Sequence, residues 1–201
     1  IPITHLTFLL GTLAIIGFPG FSGFFSKDEI LAHAFEHNII LWILGVAGAM
    51  MTTFYMFRLY FLTFKGTFRG THEQEHHLHE SPKSMTIPLI VLAVFSVLGG
   101  FFGVPAVIGE HLGLHNMLEG FLEPVFEHSA IRMSHHLSES TEWALMGIAV
   151  AAMAISLFYA YTVYIKKKTL PADEEAALNP IHKLVYKKYY VDELYENLIT
   201  K

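Results

Sequence analysis

Apolar residues in this chain run in blocks far longer than one face of an amphipathic helix. Ile39 to Phe64, Met85 to Val104 and Trp143 to Ile165 are each mostly apolar and none holds an aspartate or glutamate. A helix needs roughly 20 such residues to cross about 30 Å of hydrocarbon, so each block predicts a transmembrane helix. The ends fit that reading. Arg58 and Tyr60 fall near the end of the first block, Trp143 opens the third, and Tyr159, Tyr161 and Tyr164 close it ahead of Lys166, Lys167 and Lys168, the belt of aromatic and basic residues expected at headgroup level. The second block carries Ser96, Gly99, Gly100 and Gly103, small residues that let helices approach closely.

The first 38 residues follow another pattern. Ile3 to Phe18 is apolar, "GFPGFSG" follows with Gly17, Pro19, Gly20 and Gly23, and a helical pattern resumes from Phe24 to about His37. That density of breakers interrupts a helical hydrogen-bond ladder. Irregular backbone at membrane depth survives only where protein or a wet cavity surrounds it. Residues 1–38 therefore read as one crossing with a break, since the breakers come too soon after a short first half; two separate spans are the other reading. Lys27, Asp28 and Glu29 stand in a row just past the break.

Polar segments set the expected topology. The 65–84 loop holds Lys65, Arg69 and Lys83, whereas the 105–142 connection has one arginine, Arg132, and six glutamates. The excess of basic residues places the first loop and the 166–201 segment on the cytoplasmic side and the 105–142 connection opposite. After the linker "KTLPADEEAALNP", Asn179 as N-cap and Pro180 at the first helical position open an amphipathic helix carrying Ile181, Leu184, Val185, Leu194, Leu198 and Ile199.

Composition agrees. Of the 201 residues, 53% are hydrophobic and 15% charged, and the mean hydropathy is +0.43, values of a chain whose solvent is lipid. With no cysteine, there is no disulfide, thiolate metal site or cysteine nucleophile. A net charge of -5 without a basic stripe gives nucleic-acid binding no support. The chain opens on Ile1 without a basic leader and reads as a piece of a longer protein.

Four stretches carry a resemblance: "FLLGTLAIIGFPGFSGFFSKDEIL" (8–31), "GAMMTTFYMFRLYFLTFKG" (48–66), "HHLHESPKSMTIPLIVLAVFSVLGGFFG" (76–103) and "KKYYVDELYE" (187–196). Together they resemble the C-terminal part of the antiporter-like L subunits of respiratory complex I, the proton-pumping NADH:quinone oxidoreductase. The resemblance implies an all-α membrane protein, a polytopic transmembrane bundle with one discontinuous helix, in which 1–38 corresponds to a broken helix and the blocks 39–64, 85–104 and 143–165 to the helices that follow. It also implies a lateral helix beyond residue 201, neighbouring antiporter-like subunits and the lipid bilayer as partners, and a bacterial inner membrane as location. The 105–140 stretch matches only in being variable.

Lys27 is the foremost candidate. A lysine near the bilayer centre costs about 2.5 to 3.5 kcal/mol, so it ordinarily faces protein or water and has a task; the plain alternative is a lysine near a span end that snorkels to water. The resemblance implies that it carries protons in the outer half of a channel. It supports Asp28 as a second transfer group more than His33 or His37. Glu29, His33 and His37 share one helix face, at i, i+4 and i+8, and carboxylates and imidazoles are the usual relay groups, although a wet helix end with ordinary i,i+4 pairs looks the same. Lys27 and Asp28, as adjacent helix residues, are not expected to pair along the helix. His72, His76, His77 and His79 lie in a glycine-flanked loop without the fixed spacing of a zinc site, so no metal is expected. Arg58 reads as a headgroup or interhelix anchor, and His5 as a polar residue at a helix start or in the channel wall.

No flavin, iron–sulfur or nicotinamide motif is present, so no cofactor is expected in this chain and any redox chemistry falls to other subunits. Two other functions compete: the large subunit of a multisubunit cation/proton antiporter, and a non-transporting membrane scaffold. "YYVDELYE" and "HESPKSMTIPLIVLA" favour the first reading over the antiporter, and Lys27 argues against the scaffold.

Overall fold

A computed structural model describes residues 1–105, 107–109, 113–114, 116–126, 137–170 and 179–199. The chain divides into two units, Ile1–Thr169 and Leu170–Lys201. Helix is the only regular structure among the described residues.

In the first unit α1 (Pro2–Ile16) and α2 (Ser22–His37) flank the break, and α3 (Ile39–Phe64) follows after a single residue. That residue, Asn38, is extended and caps α3 by accepting the Ile40 N–H at 2.8 Å, which satisfies one of the otherwise unpaired amides of a helix start. A short α4 (His72–His76) precedes α5 (Lys83–Leu98), whose last residues tighten into a 3₁₀ turn, Gly99–Phe102. Next come α6 (Met117–Phe126) and α7 (Glu139–Tyr161), which widens into a π turn at Thr162–Lys166. Three helical stretches are long and apolar enough to cross a membrane, Ile39–Phe64, Lys83–Phe102 and Glu139–Lys166.

The helix pairings define the direction of each element. Against α3, the start of α1 lies near its end, where His5 stacks on Tyr60 with ring centroids 5.5 Å apart, and the middle of α2 lies near its start, where Leu31 meets Gly45. Residues 45 and 60 are about 22 Å apart along a helix. So α1 and α2 follow one another along α3 in the opposite sense, and together make one discontinuous helix. Helix α5 runs beside this broken helix in the same sense: Glu80, just before it, meets Ile3 and Thr4, and Gly100 at its far end packs on Ser22 and Phe25. Helix α7 runs parallel to α3, tied by the Ser156 hydroxyl donating to the Met50 carbonyl at 2.6 Å and by the Phe54–Tyr159 and Phe61–Tyr161 ring contacts.

The core lies where these elements meet, with Ile16, Phe57, Tyr60, Phe61, Met153 and Ala160 buried together. Outward-facing residues are just as apolar: Leu44, Leu92 and Phe95 are more than 60% exposed. In water such faces would be unfavourable. Against lipid tails they lose nothing, and the bundle is held by close packing and interhelical hydrogen bonds.

Several boundaries differ from the sequence reading. The third apolar block becomes helical earlier, at Glu139, because Ser138 caps the helix through its side chain, accepting from the Thr141 N–H. The 65–84 loop contains α4, set by a capping box in which Thr71 and Gln74 satisfy each other's amides. The 105–142 connection contains α6, whose Met117, Leu118, Phe121 and Val125 recur at helical spacing.

In the second unit the single amphipathic helix expected from Pro180 is two, α8 (Pro180–Tyr186) and α9 (Val191–Ile199), separated by Lys188–Tyr190. Lys188 occupies the next position of the stripe begun by Ile181, Leu184 and Val185, so no apolar side chain carries the helix onward, and Lys188, Tyr189 and Tyr190 all have positive φ. Asn179 does precede Pro180 as N-cap, but without a side-chain hydrogen bond.

Candidate functional site

Helix α1 ends in a glycine cap. Gly17 is left-handed, with φ 77° and ψ 44°. Its N–H donates to the Ala14 carbonyl at 3.1 Å, and the Phe18 N–H donates to the Leu13 carbonyl at 3.0 Å. This pair of bonds satisfies two of the four carbonyls that a helix end leaves without an intrahelical partner. The chain then turns through Pro19 and Gly20 and restarts at Ser22 so close to α1 that a Cβ on Gly23 would lie 1.9 Å from the Ala14 oxygen. Glycine at 23 is what lets the two half-helices overlap.

That overlap positions Lys27. One turn beyond Gly23, its side chain reaches back along Gly17, and Nζ donates to the Ile15 carbonyl at 3.1 Å. It thereby takes a third terminal carbonyl of α1, with a cation at the negative end of the helix dipole. Lys27 and Asp28 both line a cavity of about 20 Å³ at the junction of α1, α2, α3 and α7, with Ile16, Leu31, Ala49, Ala149 and Met153 among its walls. It is large enough for about one water. Adjacent residues on a helix do not normally meet; here the long lysine stem swings toward the break, and both groups open on the same space.

Asp28 and Glu29 are both half-buried. The charge of Glu142, on the first turn of α7, acts on Asp28 more strongly than does that of Glu29 beside it in sequence. His33 Nδ1 lies 3.2 Å from Glu36 Oε2, and His37 Nδ1 donates to the His33 carbonyl at 3.2 Å. The imidazole expected to continue from Glu29 thus engages Glu36, one turn further on.

At the opposite end of the broken helix, His5 Nε2 is 2.9 Å from the hydroxyl of buried Tyr60, and its ring lies between Tyr60 and Phe64. Glu80 accepts from the Ile3 N–H at 2.8 Å and from the Thr4 hydroxyl at 2.5 Å, capping α1. The Thr4 hydroxyl, then the amides, hold its carboxyl below its ordinary value. Arg58 is exposed on α3. His76, His77 and His79 are exposed, and among the described residues no three histidines or carboxylates come together as a metal site.

Glu142 and Tyr60 escaped the sequence reading of the site. Glu142 sits just before Trp143, where an acid at a helix start needs no further explanation, and only the packing of α7 on α2 connects it with Asp28. Tyr60 reads as an interfacial aromatic until α1 is laid against it.

A lysine and an aspartate at the break of a discontinuous helix, within a bundle of lipid-facing helices, define an antiporter-like integral membrane protein. Residues 70–201 match the family described as the NADH dehydrogenase (complex I) C-terminus, a set of transmembrane helices, and residues 1–53 match the family described as NADH:quinone oxidoreductase/Mrp antiporter, TM. The chain belongs to this family as a C-terminal part of its antiporter-like subunit. It is similar to NAD(P)H-quinone oxidoreductase chain 5 of a Picosynechococcus species, 42% identical over 99% of this chain and 31% of the relative. It is also similar to the chloroplastic NAD(P)H-quinone oxidoreductase subunit 5 of Mesostigma viride, 35% identical over 100% of this chain and 29% of the relative, and to NADH-quinone oxidoreductase subunit L of Neisseria meningitidis, 34% identical over 100% and 33%. The chain spans about a third of the length of these relatives.

Proposed function

We propose that this chain forms part of the proton-translocating membrane subunit of an NADH:quinone oxidoreductase, and that it carries the outer-side half of a proton path in which Lys27 is the group that gains and loses the proton. The relatives' names support the assignment to that enzyme. The match of 70–201 to a complex I family, beside the match of 1–53 to one shared with antiporters, favours it over a free-standing cation/proton antiporter. Redox chemistry then belongs to other subunits, the partners are the neighbouring membrane subunits, and the location is the cytoplasmic membrane of a bacterium.

The observation that carries the reading is the Lys27 ammonium on the Ile15 carbonyl at the break, opening on the same small cavity as Asp28. A protonated amine is held there by an otherwise unpaired carbonyl and by the dipole of α1. Once it gives up its proton, that hold weakens. A single water in the cavity spans the step to Asp28, and Asp28, Glu29 and the His33–Glu36 pair supply acceptors along α2 toward its far end. A carbonyl hydrogen bond that depends on the charge of Lys27 makes the site switchable by a charge or a movement elsewhere in the enzyme.

The test is the assembled enzyme in sealed vesicles with Lys27→Arg and Lys27→Ala. Arginine keeps the charge and the reach but is effectively always protonated. Both variants are expected to assemble and to pump fewer protons per NADH oxidised. Parental stoichiometry in fully assembled Lys27→Arg would reduce Lys27 to an anchor and end the proposal.

A further inference from the structure

We infer that Glu142, on the first turn of α7, takes the proton onward from Asp28, so that the path leaves the cavity along the seam between α2 and α7. The inference rests on the reading of Lys27 as the proton-carrying group.

The face of α7 turned toward α2 is identified by the cavity wall, to which it contributes Ala149, Val150 and Met153. Glu142, Leu145, Met146, Ala149 and Met153 follow at steps of three, one, three and four, which keeps them on one side of a helix. Leu145, Met146 and Met153 on that side are buried, and Glu142 is half-buried. Helix α7 runs parallel to α3, and α2 runs opposite to α3. Moving from Ala149 to Glu142, about 10 Å along the axis, therefore goes the same way as moving from Asp28 toward His33 and Glu36. Glu142 stands on the exit side of the cavity, facing the helix that bears Asp28.

Electrostatics ties the two together. Apart from burial itself, the charge of Glu142 is the strongest influence on Asp28, ahead of Glu29. The other charged groups near the cavity, among the described residues, are Lys27 on α2 and Glu139 one turn back on α7. Two carboxylates that repel each other in a partly desolvated seam favour holding one proton between them. The step balances simply. The O–H bond of protonated Asp28 breaks as one forms on the Glu142 carboxylate, directly or through water, and the Asp28 carboxylate is reprotonated by the Lys27 ammonium, which becomes a neutral amine.

The experiment compares Glu142→Gln, Glu142→Asp, Lys27→Arg and the Lys27→Arg/Glu142→Gln double variant in the assembled enzyme, reading protons moved per NADH oxidised and their dependence on pH. Glutamine preserves size and helix position. Glu142→Gln is expected to lose as much pumping as Lys27→Arg, the double variant no more than either alone because both interrupt one path, and Glu142→Asp to keep pumping with a displaced pH profile. Parental stoichiometry in Glu142→Gln together with loss in Lys27→Arg overturns the role of Glu142 and leaves that of Lys27 standing; parental stoichiometry in both overturns both. If Glu142→Gln does not assemble, Glu142→Asp decides: a displaced pH profile supports the inference and an unchanged one overturns it.

Discussion

Gly23 and the Ala14 carbonyl are in closer contact than any side chain would allow, since a Cβ on Gly23 would sit 1.9 Å from that oxygen. The two half-helices overlap through this contact, and the reach of Lys27 to Ile15 depends on it. Gly23→Ala must push α2 away from the end of α1, at a cost of about 3 kcal/mol or more. The expected outcome is a marked fall in the amount of assembled enzyme, and loss of pumping in what remains. Gly11→Ala is the control. Its Cβ meets nothing within 4 Å, so it should assemble normally and gain up to about 1 kcal/mol from helix propensity. Equal behaviour of the two variants would show that the close approach does not matter.

Glu80 couples the start of α1 to the segment that leads into α5. Its carboxyl is held below the ordinary value of 4.5, first by the Thr4 hydroxyl and then by backbone amides. A group whose folded value is lowered stabilises the fold fully above its ordinary value, and that contribution is lost as pH falls through the folded value. Glu80→Gln should therefore unfold at lower temperature than the parent at pH 7, and the difference should shrink below about pH 4.5. Thermal unfolding in detergent across that range checks it; a difference that does not change with pH would mean that the charge plays no part.

Tyr60 and His5 join α3 to α1 through one hydrogen bond and a stacked contact. Tyr60→Phe removes the first and keeps the second, and should cost about 1 kcal/mol. The double variant with His5→Phe should cost less than the sum of the two single changes, because both break the same bond. Additive losses, measured by thermal unfolding, would show that the hydroxyl and the imidazole act independently.

The expected topology is open to labelling, because the chain has no cysteine of its own. Cysteines at Gly70 and Thr169 should react with an impermeant reagent from one side of sealed vesicles and a cysteine at Leu114 from the other. Gly70 and Thr169 on opposite sides would overturn the charge-based orientation.

Much of this architecture follows from local physics that a linear sequence displays. An uninterrupted apolar block such as 39–64 has one low-energy state in lipid, a helix that pairs its own backbone groups, and α3 occupies those same residues. Gly17, Pro19 and Gly20 stop a helix wherever they are placed, so the break was visible beside Lys27 before any packing was known. What remained hidden depended on which elements touch. Whether Lys27 and Asp28 share a space depends on the overlap of α1 and α2 at Gly23, and the partnership of Asp28 with Glu142 on the antiparallel packing of α2 and α7. His5 and Tyr60, 55 residues apart, meet only because α1 lies along α3. Helix formation is decided within a few residues, whereas the chemistry of a buried charge is decided by dipoles, carbonyls and carboxylates that distant segments bring to it, and only the tertiary structure sets those distances.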